Sequence, residues 1–413
     1  MNVSVGLVEA RPAIELELIG SFKDGAGKTY SSGRHRFTSE LVLVPQDASS
    51  AFALDDVTIG VGFHWERKER QVFRGGLRIL KREAGLAVVN DVDLEEYVTS
   101  VISSEMSASC PLELLKAHAV ISRSWLRQSS PSGRARSEGP GEGSHEIIRW
   151  YGREAHPDFD VCADDHCQRY QGITKAFSVA ASQAVQATSG QFLMYQGQIC
   201  DARFSKCCGG ITELYSTAWE NQDFEYLKSF YDGPGQMSES SAETFIQSEP
   251  PAYCNTRDSD LLRRILPGFD QETRDFYRWS VEYSPDEVRD LIQSRLGIDL
   301  GLIQDIRSEA RGPSGRIYRL KIIGQKDFLI IGKELEIRRA LSRSHLYSSA
   351  FVVEKEAARS ASATARSLKK FILRGAGWGH GVGLCQIGAA VMASEGKTYR
   401  EILEHYYRGA TVS

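Results

Sequence analysis

The 413-residue sequence contains no run of 18 or more apolar residues, so it predicts no membrane-spanning helix. It also lacks a basic excess, because 50 Lys and Arg residues face 54 Asp and Glu residues, for a net charge of −4. A dedicated nucleic-acid-binding protein would carry surplus positive charge. Cysteine is scarce, at eight residues, which excludes a small disulfide-stapled scaffold. What remains is an ordinary globular composition, with 41% hydrophobic and 25% charged residues, long enough for two or three domains.

The N-terminus lacks the features of a secretory signal peptide. Residues 1–20 have no basic leading region, and their apolar residues are interrupted by Glu9, Arg11, Glu15 and Glu17. Three alternatives remain: the protein stays in the cytoplasm, an export segment is absent from this sequence, or export uses a route that the sequence does not display.

Residues 1–85 predict a small N-terminal β module, because short β-branched and alternating runs are separated by Gly, Asp and Ser. Residues 90–128 predict two helices. The Gly-, Ser- and Pro-rich stretch 129–144 predicts a mobile loop, and residues 168–230 predict short strands joined by turns. A middle segment near 231–300 begins with a polar loop and continues with helices, one of them capped by Ser284.

One glutamate lies on the apolar face of the first predicted helix. Leu94, Tyr97, Val98, Val101 and Ile102 form an amphipathic stripe whose continuation reaches Glu105. Burial and the negative end of the helix dipole would both raise the pKa of this carboxyl group, as a general acid requires. The alternative is a helix-terminal glutamate that turns out to water.

Glycines occupy alternate positions near the C-terminus, at Gly375, Gly377, Gly379, Gly381 and Gly383. In an extended chain they would share one bare face, open to a sugar chain or to another backbone. On the other face, Trp378 would stack on a sugar and His380 would bond substrate or orient Glu105. The alternative is that the glycines only permit tight packing and that His380 has a structural role.

Two thiols and two imidazoles cluster within HPDFDVCADDHC, at His156, Cys162, His166 and Cys167. Two Cys and two His are good tetrahedral zinc ligands, although Cys-x4-Cys is looser than the usual Cys-x2-Cys spacing. A disulfide or free thiols are the alternatives, and His145 is a substitute for one imidazole. Of the remaining cysteines, the vicinal pair Cys207-Cys208 predicts inert thiols, and Cys200 and Cys254 predict small buried residues.

Two long motifs resemble the stage II sporulation protein D (SpoIID) and LytB amidase-enhancer family. The first combines NDVDLEEYV at 90–98, Ser104-Glu105-Met106 and PLELLKAHAV at 111–120. The second, GAGWGHGVGLCQIGA at 375–389, is similar to the family signature GxGxGHGVGxSQxGA. The chain departs from the family at His118 (commonly Gln), at Ser124-Trp125 (commonly Thr-Tyr) and at Cys385 (commonly Ser).

The resemblance implies an α+β fold with a two-lobed catalytic core over 86–413 and a central groove. It implies either a lytic transglycosylase that cleaves peptidoglycan glycan strands, with Glu105 as acid and base, or a non-catalytic enhancer of a cell-wall amidase. Some family members carry zinc in the region of the Cys/His cluster, so the resemblance implies a structural zinc here. We predict no organic cofactor. A zinc hydrolase is a weaker third hypothesis, since no Glu-bearing helical metal motif accompanies the cluster. The substrate implies the cell envelope. We predict that substrate binding uses Ser205, Lys206, Trp378, His380 and Gln386.

Overall fold

The computed structural model describes residues 1–61, 66–128, 145–151, 156–164, 166–175, 178–237, 241–271, 273, 275–357 and 368–413. The loop predicted at 129–144 lies outside these residues. Helices and strands mix in several small sheets, which confirms the predicted α+β class and the β-rich N-terminal region. No helix among the described residues has the length and apolarity needed to cross a membrane.

The strands are β1 (Asn2–Arg11), β2 (Ile14–Ile19), β3 (Phe22–Asp24), β4 (Thr29–Tyr30), β5 (Gly33–Phe37), β6 (Leu41–Pro45), β7 (Ala51–Ile59), β8 (Arg67–Arg74), β9 (Gly76–Arg82), β10 (Gly85–Asp93), β11 (Glu146–Ile148), β12 (Val161–Cys162), β13 (Leu193–Tyr195), β14 (Gln198–Ile199), β15 (Phe204–Ser205), β16 (Arg278–Tyr283), β17 (Ile303–Arg311), β18 (Ile317–Gly324), β19 (Phe328–Gly332), β20 (Phe351–Ala357), β21 (Leu368–Ala376), β22 (Leu384–Cys385) and β23 (Thr411–Val412). The helices are α1 (Leu94–Glu105), α2 (Leu112–Arg127), α3 (Val179–Ala187), α4 (Tyr215–Ala218), α5 (Ala242–Gln247), α6 (Ser259–Ile265), α7 (Pro285–Leu296), α8 (Glu334–Ala340), α9 (Gln386–Ser394) and α10 (Tyr399–Tyr406), with a 3-10 turn at Gly268–Asp270.

The N-terminal strands form two antiparallel sheets, and the later strand β12 pairs in parallel with β1 at the edge of the first. One sheet has the order β12-β1-β10-β9-β6-β3-β4, and the other has the order β5-β2-β7-β8. Alternation sets their faces: in β2, Ile14, Leu16 and Leu18 are buried while Glu15 is exposed. Their apolar side chains join the same hydrophobic core as α1, α2 and the C-terminal helices. The long strand β10 leads directly into α1, so this sheet sets where Glu105 lies.

Helices α1 and α2 pack together as the sequence predicts. The five residues of the predicted stripe in α1 are buried, and Asp93 caps the helix by accepting a hydrogen bond from the Glu95 N–H. The fully buried Arg123 of α2 makes two hydrogen bonds to the Glu95 carboxylate, at 3.1 and 2.6 Å. This bidentate pair fixes the two helices side by side.

A second core surrounds the sheet β11-β19-β18-β17 and the sheet β16-β21-β20, with α7 and α8 packed against them. Ser284 forms a full capping box at the start of α7, which confirms that prediction.

Two short helices lie where strands, turns or loop were predicted. Helix α3 lies within 168–230, because Ser178 caps it and Ala181, Ala184 and Val185 bury one narrow face. Helix α5 lies within the predicted polar loop, because Ser241 caps it and Phe245 and Ile246 are buried. Both helices are short, so neither gives a long periodic pattern in the sequence, and a serine cap and a buried face together stabilise each of them.

Candidate active site

Glu105 is the last residue of α1 and is only partly buried. Its Oε1 accepts a hydrogen bond from the Arg169 N–H at 2.9 Å. The segment around Arg169 runs along α1, since Tyr97 donates to the Gln168 side chain at 3.1 Å and the Gln171 N–H donates to Ser100 at 3.1 Å. The carboxylate is thus held in place by a backbone group while part of the side chain reaches the surface.

Lys206 contacts the same C-terminal end of α1. Its ammonium group donates to the Glu105 carbonyl oxygen at 3.2 Å and pairs with Asp270 at 2.9 Å. The Lys206 and Asp270 side chains are 10% and 4% exposed. A cation at a helix C-terminus is favourable, because the last carbonyl groups carry partial negative charge. Sequence reasoning missed Asp270, which lies in the 3-10 turn and carries no motif.

Gln386, the first residue of α9, is buried against α2. Its side-chain N–H donates to His118 Nε2 at 2.9 Å, and His118 Nδ1 lies 3.2 Å from the Ser122 hydroxyl. Burial, assisted by the charge of Lys206, lowers the pKa of His118 to about 3. The imidazole is therefore neutral, with Nε2 as the acceptor and Nδ1–H as the donor.

The glycine segment is not an extended strand, so the prediction of one bare glycine face is wrong. Gly377, Gly379, Gly381 and Gly383 have φ values of +75°, +90°, +75° and +71°, which only glycine adopts readily. The space where side chains would stand is filled by protein. A Cβ on Gly381 would lie 2.5 Å from the Arg316 guanidinium, and one on Gly383 would lie 2.0 Å from the Arg203 carbonyl oxygen. These contacts fit the alternative prediction, that the glycines permit tight packing against other protein groups.

Trp378 lies beside the lysine that supports Glu105. Its backbone exchanges two hydrogen bonds with Cys207, at 3.1 and 2.8 Å, and Cys207 directly follows Lys206. The indole is half-buried, stacks on Phe276 with centroids 4.8 Å apart, and meets the ring of Tyr347 edge-on at 4.9 Å. The Trp378 ring is thus held between Phe276 and Tyr347, and its backbone is paired with the residue that follows Lys206.

His380 and Ser205 have structural contacts. His380 Nδ1 accepts a hydrogen bond from the Val382 N–H at 3.0 Å, and its ring packs edge-on against Trp219. Burial, and then the nearby Arg203 and Arg316, hold the pKa of His380 well below its ordinary value. Ser205 is buried in β15, which pairs in parallel with β22.

The structure brings His156, Cys162, His166 and Cys167 together. Their ligand atoms all lie within 4.8 Å of one another. Cys167 Sγ is 3.5 Å from both His156 Nε2 and His166 Nδ1, and Cys162 Sγ is 3.8 Å from His166 Nδ1. Hydrogen bonding from Cys167, and then from His166, lowers the pKa of Cys162 to about 3. The chain passes from this cluster directly to Arg169, whose N–H holds Glu105.

Residues 82–195, which include α1, α2 and the Cys/His cluster, match the family model described as stage II sporulation protein. A second model, described as a domain of unknown function, matches residues 213–383. Residues 82–195 are thus similar to the SpoIID family domain, and that family is implicated in cell-wall and peptidoglycan processes.

Three curated relatives resemble the chain. It is 23% identical over its whole length to an uncharacterized protein of Brachyspira hyodysenteriae, covering 82% of that protein. It is 26% identical over 330 residues to stage II sporulation protein D of Bacillus amyloliquefaciens, which spans 79% of this chain and 75% of that protein. It is 23% identical over 320 residues to the amidase enhancer of Bacillus subtilis, which spans 76% of this chain and 40% of that protein. The resemblance found in the two motifs is confirmed.

Proposed function

We propose that the protein is a lytic transglycosylase that cleaves the bond between N-acetylmuramic acid and N-acetylglucosamine in peptidoglycan glycan strands. The observation that carries the proposal is the setting of Glu105. Its carboxylate is oriented by the Arg169 N–H, its helix end is supported by the Lys206–Asp270 pair, and the side chain is partly exposed. A general acid needs this combination of fixed orientation and access to the bond it protonates.

In the proposed reaction, Glu105 gives its proton to the bridging oxygen and the glycosidic bond breaks. The acetamido group of the muramic acid residue stabilises the anomeric carbon. Glu105, now a carboxylate, takes the proton from the C6 hydroxyl of the same sugar, and that oxygen closes a 1,6-anhydro ring. Atoms and charge balance without water, and Glu105 returns to its protonated form.

One available carboxylate is sufficient for this chemistry, whereas most glycosidases use two. Asp270 is the acidic side chain tied through Lys206 to the same helix end, but it is buried and paired with that lysine. It therefore supports the site and does not act as a nucleophile in this scheme. The predicted rise in the Glu105 pKa stays a prediction.

The proposed substrate contacts divide into two groups. We assign Lys206, Trp378 and His380 to the wall of the central groove that the resemblance implies, because Trp378 and His380 are partly exposed and Lys206 contacts the Glu105 backbone. We assign Ser205 and Gln386 to its support, because they are 6% and 2% exposed.

The Cys/His cluster suits a structural zinc ion, since two thiols and two imidazoles would fill all four tetrahedral positions. Held in this way, residues 156–167 would fix the chain that leads to Arg169 and so to Glu105. We place the protein on the envelope side of the membrane, where its proposed substrate lies.

The second candidate is a non-catalytic enhancer of a cell-wall amidase, favoured by the similarity to the amidase enhancer of Bacillus subtilis. The two functions differ in whether they require the carboxylate of Glu105. An enhancer keeps its effect when the Glu105 carboxylate becomes an amide, whereas the transglycosylase loses its acid.

The deciding experiment is mass spectrometry of products from purified glycan strands, with and without stem peptides. Wild type, Glu105→Gln and the control Glu96→Gln, which changes an exposed glutamate in the first turn of α1, are compared. We expect 1,6-anhydromuramic ends from wild type and the control, and at least a 100-fold slower release from Glu105→Gln. Reducing ends would show a hydrolase, and no cleavage on either substrate would support the enhancer.

A further inference from the structure

Four side chains outside the proposed active site form a second potential ligand set, in the interior of the protein. They are Cys208, Asp232, Cys254 and Cys385, and their exposed fractions are 2%, 0%, 3% and 0%. Their ligand atoms all lie within 4.8 Å of one another. They come from distant parts of the sequence, so no spacing motif announces them. Sequence reasoning accordingly interpreted Cys208 and Cys254 as inert or space-filling.

The separations match a tetrahedral metal site. Cys208 Sγ lies 3.6 Å from Cys254 Sγ and 3.2 Å from Asp232 Oδ2. Zinc–sulfur bonds of about 2.3 Å in a tetrahedron place two sulfur atoms about 3.8 Å apart. These two pairs therefore need only a slight expansion to accept an ion.

The sulfur atoms already accept hydrogen bonds from the backbone. Cys385 Sγ accepts from the Cys208 N–H at 3.2 Å and from the Gly388 N–H, in the first turn of α9, at 3.4 Å. Cys208 Sγ accepts from the Gly210 N–H at 3.3 Å. N–H donors and the positive end of a helix favour negatively charged sulfur, which is the form that binds a metal.

The carboxylate is oriented by groups that leave it facing the thiols. Asp232 Oδ1 lies 2.9 Å from His405 Nε2, and Oδ2 accepts from the Tyr406 hydroxyl at 3.1 Å. A Cβ on Gly388 would lie 2.8 Å from Asp232 Oδ2 and 3.4 Å from Cys385 Sγ, so glycine keeps this space clear. Outer hydrogen bonds that fix a ligand in this way are typical of protein metal sites.

We propose that these four residues bind a second zinc ion, with three thiolates and one carboxylate as ligands. Thiolates select zinc among the common divalent cations that lack redox chemistry, and four protein ligands in the interior make the site structural. The ion would join the segment after β15, which carries Lys206 and Cys208, to the end of the glycine segment, where Cys385 stands in place of the serine common in the family. The proposal goes beyond glycan cleavage and does not depend on it.

The test uses the full chain with Cys162→Ser and Cys167→Ser, which removes the Cys/His cluster. The protein is purified under reducing conditions, its zinc is measured by mass spectrometry, and the zinc is then replaced by Co²⁺. We expect about one equivalent of zinc, together with the thiolate-to-cobalt charge-transfer bands and the visible bands of tetrahedral Co²⁺. Adding Cys254→Ser should weaken the affinity for the metal ion at least 100-fold. Adding Cys200→Ser, which changes another buried cysteine, should leave that affinity unchanged.

X-ray absorption on the same zinc-loaded protein gives an answer even where Cys254→Ser fails to fold. Three sulfur neighbours near 2.3 Å and one oxygen near 2.0 Å are expected. A protein that folds, takes up neither Zn²⁺ nor Co²⁺ and shows free thiols or a Cys208–Cys254 disulfide would overturn the proposal. Because the Cys/His cluster is absent from this background and no activity is read, failure of the proposed function has no bearing on the outcome.

Discussion

His118 should make the stability of this protein depend on pH. The imidazole is 1% exposed and hydrogen-bonds to both Ser122 and Gln386, and its pKa is lowered to about 3 from an ordinary 6.5. Below pH 6.5 the unfolded chain takes up a proton at this position and the folded chain does not. Protonation therefore favours the unfolded state, and stability is lost as the pH falls from 6.5 towards 3.

The size of this effect follows from the two pKa values. Each pH unit below 6.5 costs about 1.4 kcal/mol, so His118 alone removes about 2 kcal/mol of unfolding free energy between pH 7 and pH 5. His118→Gln keeps a polar side chain opposite Gln386 and removes the titration. We expect the pH 7 to pH 5 loss to be about 2 kcal/mol smaller in this variant than in wild type.

The assay is urea unfolding followed by tryptophan fluorescence, at both pH values and at constant ionic strength. Other titrating groups contribute equally to wild type and variant, so the difference between the two proteins isolates His118. Equal losses in the two proteins would refute the argument, because they would mean that the folded state accommodates the imidazolium.

Three further predictions concern the support of the site. Asp270→Asn should lower the free energy of unfolding, measured in urea, by about 3–5 kcal/mol, because it leaves the buried Lys206 ammonium without its carboxylate. Adding Lys206→Met should restore most of that free energy. A loss below about 1 kcal/mol in Asp270→Asn would contradict this prediction. Gly381→Ala should lower the free energy of unfolding by more than about 3 kcal/mol, because the new Cβ meets the buried Arg316. The control Gly297→Ala, which has a similar φ and open space around it, should lower it by only about 1–2 kcal/mol. Equal melting temperatures for the two variants would contradict a role for the Arg316 contact. A chelator should lower the melting temperature of wild type more than that of a variant lacking both thiols of the Cys/His cluster, and equal shifts would show that this cluster holds no metal.

The sequence alone determined much of the local structure around the site. The stripe from Leu94 to Ile102 predicted α1 and placed Glu105 at its end, and Ser284 predicted the start of α7. The Cys/His cluster was also predicted from the sequence, because its candidate ligands lie close together in the chain. These signals are local, since helix periodicity, capping and short spacings depend on residues a few positions apart.

The tertiary structure decided which groups surround Glu105. The Arg169 N–H, the Lys206 ammonium and Asp270 come from three separate segments, and only the packing of those segments brings them to one helix end. The glycine segment adopts positive φ values and packs closely against Arg316 and neighbouring backbone, which alternation in the sequence cannot reveal. The second potential ligand set, Cys208, Asp232, Cys254 and Cys385, is likewise brought together by packing from residues far apart in the chain. Contacts over such separations depend on the whole fold, and local pattern carries no information about them.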